Sequence, residues 1–140
     1  MEETGFESKI LHTPFEKKDA YNSLSMPVYY TAAYEFDTAE AMEEAFCGRT
    51  TDHAYSRITN PTVQYFEDRI QAITGALSVT AFNSGMAAIS NMLMTIASSG
   101  CNIITSPHLF GNTYSMMKST LGDFNVETRF CDLTNLKETE

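Results

Sequence analysis

The chain has 140 residues, 43% of them hydrophobic and 11% aromatic, which is enough apolar material for one domain with a buried core and argues against disorder. Nine basic residues against eighteen acidic ones give a formal charge of -9. No basic surplus exists to attract nucleic acid or an anionic membrane surface, so neither is expected as a partner, and any anion site must be built locally.

The opening "MEETGFESK" lacks the basic patch and apolar run of a secretory signal, and no later run reaches membrane-spanning length, so a cytoplasmic setting is expected. Residues 1 to 36 show no sustained helical period, and "MPVYYTAAYEF" has the β-branched and aromatic content of an extended arm. "DTAEAMEEAFCG" predicts a short helix capped by Asp37, with Glu40 three residues on as in a capping box and Gly48 at its end. The polar stretch that follows reads as loop, extended at Tyr55 to Arg57.

From Asn60 the local chemistry is more definite. Asn60 suits an N-cap and Pro61 the first helical position, while Val63, Phe66, Ile70 and Ile73 form an apolar stripe closed by Gly75, which predicts a helix packed on a sheet. "ALSVTAF" (76–82) reads as a buried strand, "NSGMAAISNMLMTIASSG" as a turn and helix ending near Gly100, and "NIITS" (102–106) as a second strand. After "HLFGN" a third helix is expected from about Thr113 to Leu121, then a third strand, "VETRF", and the opening of a further connection in "DLTNLKETE". Alternating strands and helices predict an α/β fold with a mainly parallel sheet. Three strands leave that sheet unfinished, so a truncated domain is expected. No repeat or low-complexity linker interrupts the chain.

Three stretches carry candidate chemistry. In "FNSGMAAI" a turn into a helix aims the amides of Gly85 and Met86 outward at the positive end of the helix dipole, where a phosphate fits. Ser84 can add a hydroxyl donor and Gly85 a close approach; the plain alternative is that Asn83 or Ser84 only caps the helix. Neither GxGxxG nor GxxxxGK[ST] is present. In "AYSRITNPT", Tyr55 and Arg57 are two apart, so an extended backbone points a phenol and a guanidinium to one face, suited to phosphate oxygens. The alternative is an ordinary surface arginine. In "HLFGNTY", Phe110 follows the second strand at the edge where the "NSG" turn lies and can lie flat against a heteroaromatic ring, or else pack in the core. Met86, Met92 and Met94 read as core filler. Cys47, Cys101 and Cys131 lack CxxC spacing and read as free thiols, and His12, His53 and His108 show no metal-ligand pattern.

In this order and at these separations, "MPVYYTAAYEF", "AYSRITNPT", "NSGMAAI" and "LFGNTY" resemble the amino-terminal third of the Cys/Met-metabolism family of pyridoxal-phosphate enzymes, which includes cystathionine γ-synthase, methionine γ-lyase and O-acetylhomoserine sulfhydrylase. "YSRI.NPT" followed by "SGMAAI" is the most specific combination. The resemblance implies pyridoxal 5'-phosphate as cofactor and an aspartate aminotransferase-like, fold type I domain. Residues 1–58 would then be an arm with a short helix that docks on a partner subunit, and residues 59–140 the first part of the cofactor-binding large domain. It further implies that Tyr55 and Arg57 reach the cofactor phosphate of a neighbouring subunit in a dimer or tetramer. Ser84, Gly85 and Met86 would hold the subunit's own phosphate, and Phe110 would stack on the pyridine ring.

Departures from the family pattern refine this. Many members place a titratable tyrosine where Phe110 stands, so an acid-base role there is not expected. Asn112 replaces a cysteine common in methionine γ-lyases, whereas "NIITSPHLFGNTYSMMKSTL" and "VETRFCDL" look more like the homoserine-ester sulfhydrylases. The implied reaction is γ-replacement on O-acetylhomoserine, a small amino-acid substrate, by sulfide or a thiol, with methionine γ-lyase or cystathionine γ-synthase activity as the alternatives. The family's Schiff-base lysine and its aspartate at the pyridine nitrogen belong to a later region. None of Lys9, Lys17, Lys18, Lys118 or Lys137 sits in the SxTK context, so no catalytic residue is expected within this chain, which by itself should be inactive. A non-catalytic fragment that only binds phosphate or a partner is the reading from another class, and an unrelated phosphate-binding α/β domain a third.

Overall fold

The structure, a computed structural model, describes residues 5–15 and 21–139, apart from the side chain of Glu138. Residues 1–4 and 16–20 of the expected arm, with Lys17 and Lys18, lie outside the described residues. The chain forms two compact units, Met1–Ala81 and Phe82–Glu140.

The first unit contains α1 (Phe6–His12), α2 (Ala39–Phe46) and α3 (Pro61–Thr74). Helix α1 stands where an extended arm was expected. Its seven residues lack a side-chain cap at Gly5, and a helix this short is marginal by itself. Its end is held by distant groups: the Arg69 guanidinium donates to the Ile10 carbonyl, the Tyr65 hydroxyl donates to Thr13 O at 3.3 Å, and Phe15 packs edge-on against Tyr65 with ring centroids 5.2 Å apart. Helix α2 is capped by Thr38, whose hydroxyl accepts from the Ala41 amide at 3.1 Å. Asp37 is therefore not the cap, and Glu40 falls too early for a capping box.

Helix α3 begins and ends as its sequence predicts. Asn60 Oδ1 accepts from the Thr62 amide at 2.9 Å, Pro61 occupies the first turn, and Gly75 closes the helix at φ 70°. Its expected apolar stripe is not covered within the unit, where Val63 and Phe66 are 44% and 54% exposed and α3 packs on α1 instead. The segment 76–82 is likewise not a strand. It is fastened by side chains, with Gln71 Nε2 donating to Leu77 O at 2.7 Å and Glu67 accepting from the Ala81 amide at 2.7 Å. Among the described residues no strand pairs with it, and a β-prone composition without a ladder partner does not make a strand.

The second unit holds α4 (Gly85–Ile96), β1 (Asn102–Thr105), α5 (Gly111–Ser115), a π turn (Met116–Thr120) running into α6 (Leu121–Asp123), β2 (Glu127–Phe130) and α7 (Leu136–Thr139). Strands β1 and β2 pair in parallel, Asn102 opposite Glu127 and Thr105 opposite Phe130, so the α/β reading with a parallel sheet holds, with two strands among the described residues in place of three. The turns before the strands are tied together: the Gly100 amide, at φ 89°, donates to Asn125 O at 2.8 Å, and Asn125 Nδ2 donates to Ser99 Oγ at 2.8 Å. Leu93, Met116, Met117, Leu121 and Val126 form the core, with Met86 and Ile89 of the same α4 stripe packed around it. Met92 and Met94, expected as core filler, are exposed; Met116 and Met117 fill the core instead.

Candidate functional site

In the first unit, Tyr55 ends the extended backbone. It forms an isolated antiparallel bridge with Ala33, flanked by Tyr34 N to Ala54 O at 3.3 Å and Ser56 N to Ala32 O at 2.9 Å. The chain then turns, with the amides of Ile58 and Thr59 both donating to Tyr55 O at 2.8 and 3.0 Å. The extended geometry expected through Arg57 is thus replaced by a turn, because the Tyr55 carbonyl is captured locally. The two side chains still meet: Arg57 Cζ lies 5.3 Å from the centre of the Tyr55 ring. Arg57 is exposed, and among the described residues no carboxylate is ion-paired with it.

Beneath this turn lies a polar cluster that the sequence did not announce. Asn60, only 8% exposed, places Nδ2 at 2.9 Å from Ser56 Oγ, 3.1 Å from Tyr34 Oη and 3.1 Å from Tyr29 O. Ser56 Oγ donates to Thr31 O, and Thr62 Oγ1 accepts from the Tyr29 amide at 2.8 Å. The only sequence signal for this was the cap preference of Asn60: Ser56 is four residues away, but Tyr34 and Tyr29, which complete the cluster, are 26 and 31 residues away.

In the second unit, Ser84 caps α4 by accepting from the Ala87 amide at 3.1 Å, while its carbonyl takes Ala88 N at 3.0 Å. That leaves the amides of Gly85 and Met86 directed outward at the positive end of a twelve-residue helix. A Cβ at Gly85 would meet no atom within 4 Å, so the space before these amides is open. Thr113 Oγ1 donates to Met86 Sδ at 3.3 Å, which joins the first turn of α4 to the first turn of α5. Phe110, the residue immediately before α5, is 82% exposed; it does not pack in the core.

The structure therefore brings Ser84, Gly85 and Met86 together at one helix start, links them through Thr113 to the helix that follows Phe110, and stacks Arg57 on Tyr55. Amides and a hydroxyl before an open space fit a phosphomonoester, and an exposed phenyl ring fits a flat heteroaromatic. Among the described residues no group of metal-ligating side chains is assembled, and no helix is long and apolar enough to cross a membrane.

A model of the Cys/Met metabolism PLP-dependent enzymes matches residues 7–140. The chain belongs to this family. It is 34% identical to an O-acetyl-L-homoserine sulfhydrylase of Corynebacterium glutamicum over 91% of its own length and 29% of that protein's. It is also 34% identical to an L-methionine gamma-lyase of Fusobacterium nucleatum, over 99% of its length and 35% of the relative's. Among solved structures, an O-acetylhomoserine (thiol)-lyase assignment from Campylobacter jejuni, containing N'-pyridoxyl-lysine-5'-monophosphate, superposes with a TM-score of 0.89 at 30% identity, over 98% of this chain and 34% of that one. The chain thus spans about a third of the length of these family members. Pyridoxal phosphate is the cofactor of the family, and the phosphate-suited helix start of α4 and the exposed ring of Phe110 agree with it in kind.

Proposed function

We propose that this chain is the amino-terminal part of a cytoplasmic, PLP-dependent transferase that replaces the γ-substituent of O-acetylhomoserine with sulfide or a thiol. The observation that carries this is the start of α4, where Gly85 and Met86 present amides and Ser84 a hydroxyl to open space, within a chain of this family. In this reading those three residues hold the phosphate of the protomer's own cofactor. When bound, the pyridine ring acts as the electron sink for chemistry at the substrate's α-carbon. Phe110 lies against that ring and, having no titratable group, moves no proton.

Tyr55 and Arg57 serve the phosphate of a neighbouring protomer's cofactor in a homodimer or homotetramer. Their support is the exposed position of Arg57, with which no carboxylate is ion-paired among the described residues, a state suited to charge-assisted bonds with an anion. The described lysines Lys9, Lys118 and Lys137 lie outside any SxTK context, and Lys118 Nζ instead sits 5.6 Å over the Tyr114 ring. In this reading the covalent anchor for the cofactor is a lysine of the full-length protein outside these 140 residues, and the chain by itself is inactive.

The test uses a full-length protein that carries this segment. O-acetylhomoserine and sulfide should yield homocysteine; no turnover of any γ-substituted amino acid would overturn the reading. Arg57→Ala should weaken PLP binding by about 10- to 100-fold, the loss expected of a hydrogen bond from a charged group. A second reading, methionine γ-lyase activity, is favoured by the Fusobacterium nucleatum relative, whose identity equals that of the sulfhydrylase. Release of an α-keto acid from methionine would select it.

A further inference from the structure

Asn60 stands where the arm, the Tyr55–Arg57 turn and α3 meet, and the direction of each of its hydrogen bonds follows from its partners. The Thr62 amide can only donate, so Oδ1 faces Thr62 and Nδ2 faces the cluster. The Thr31 carbonyl can only accept, so the Ser56 hydroxyl spends its hydrogen there and its oxygen must receive. The Tyr34 hydroxyl, 3.4 Å from Ser56 Oγ, then points its hydrogen at Ser56 and its own oxygen at Asn60. Two amide hydrogens consequently serve three acceptors, Ser56 Oγ, Tyr34 Oη and Tyr29 O.

No other side chain of this length does both jobs. An aspartate accepts but cannot donate, and a serine caps the helix but does not reach the cluster. Ser56 is the residue between Tyr55 and Arg57, so whatever fixes it fixes the backbone from which the phenol and the guanidinium project. Asn60 itself is buried, where an unmade bond costs more than at the surface, while its partners Ser56, Tyr34 and Tyr29 are half-buried.

We propose that Asn60 is a positioning residue for phosphate binding: through Ser56 it presets the Tyr55–Arg57 turn, so that little ordering cost remains when the anion binds. This rests on the reading of Tyr55 and Arg57 as phosphate donors. It goes beyond the helix cap that Asn60 also supplies.

The test uses the full-length protein with Asn60→Ser, which retains a good cap, adds no charge and removes both amide donors. Ser56→Ala breaks the same link from the other side, should Asn60→Ser fold poorly. Three quantities are read: hydrogen exchange at the Ile58 and Thr59 amides, the dissociation constant of PLP, and that of pyridoxal, which lacks the phosphate. The expected result is faster exchange at both amides and PLP affinity lowered about tenfold, with pyridoxal affinity unchanged and no further PLP loss in an Arg57→Ala background. Equal losses for PLP and pyridoxal, or unchanged exchange in both variants, would overturn the proposal. If exchange accelerates while neither Asn60→Ser nor Arg57→Ala alters PLP binding, the turn is held by Asn60 but is no phosphate site. That outcome overturns the phosphate role of the turn and leaves the α4 site standing.

Discussion

The hydroxyl of Thr113 donates to the sulfur of Met86 across 3.3 Å, and this half-buried contact joins two helix starts that sequence alone presents as separate motifs. Met86 contributes a backbone amide at the open end of α4, and Thr113 lies three residues after Phe110. One side-chain pair thus fixes the proposed phosphate cradle relative to the helix that carries the proposed ring contact. Thr113→Val keeps the shape and deletes the donor. Stability should fall by about 0.5–1.5 kcal/mol, the net worth of one hydrogen bond, and PLP affinity by a few-fold in the full-length protein. Thermal denaturation with and without cofactor reads both; an unchanged melting temperature and affinity would refute the coupling.

At Ser84, capping and phosphate binding separate under a single substitution. Aspartate caps a helix as well as serine does and its charge suits the positive end of the dipole, so Ser84→Asp should leave the apo protein as stable as before. The same carboxylate would sit beside the bound phosphate and repel it. PLP affinity should drop by roughly 100-fold, about 2.7 kcal/mol. If titration shows PLP binding unaltered, the start of α4 serves only as a capped helix.

What could be read from the sequence follows the range of the interactions. The cap, first turn and stop of α3 were legible because Asn60, Pro61 and Gly75 act within a few residues of themselves. The start of α4 was legible for the same reason, since Ser84, Gly85 and Met86 are contiguous. Helix α1 was not, because Arg69 and Tyr65 stabilise it from more than fifty residues away. Segment 76–82 has strand composition, but a ladder is made by a neighbour, and none pairs with it among the described residues. At α2 two adjacent cap formers compete, and Thr38 wins by reaching Ala41 N. Of the Asn60 cluster only the cap was visible, for the cluster is completed by Tyr34 and Tyr29, on chain that no local pattern connects to Asn60.

Cys101 should be the first of the three thiols to react. Its sulfur lies 3.3 Å from the Ser98 hydroxyl, and hydrogen bonding by that hydroxyl, assisted by the Ser98 backbone, holds the exposed thiol below its ordinary value. A lowered value places thiolate in solution at a pH where an ordinary thiol is still protonated. At mildly alkaline pH, iodoacetamide should therefore label Cys101 faster than Cys47, which is also exposed, and Ser98→Ala, which removes the hydroxyl and keeps the backbone contribution, should narrow the difference. Equal labelling of the two by mass spectrometry would contradict this.

The 140-residue chain expressed by itself should self-associate. In the first unit Leu24, Tyr30 and Leu77 are 92%, 101% and 97% exposed, and Phe66 adds half a ring to the uncovered stripe of α3. Apolar side chains presented in such number have more to gain by meeting a second copy than by staying in water, at about 25 cal/mol for each Å² removed. Segment 76–82 adds backbone of strand composition without a ladder partner among the described residues, and such backbone pairs readily with another chain. Sedimentation velocity should show an average size that rises with concentration, and Leu77→Lys combined with Tyr30→Lys should reduce that rise without disturbing the core around Leu121 in the other unit. A monodisperse monomer that melts cooperatively at every concentration would mean that these side chains find cover within the chain itself.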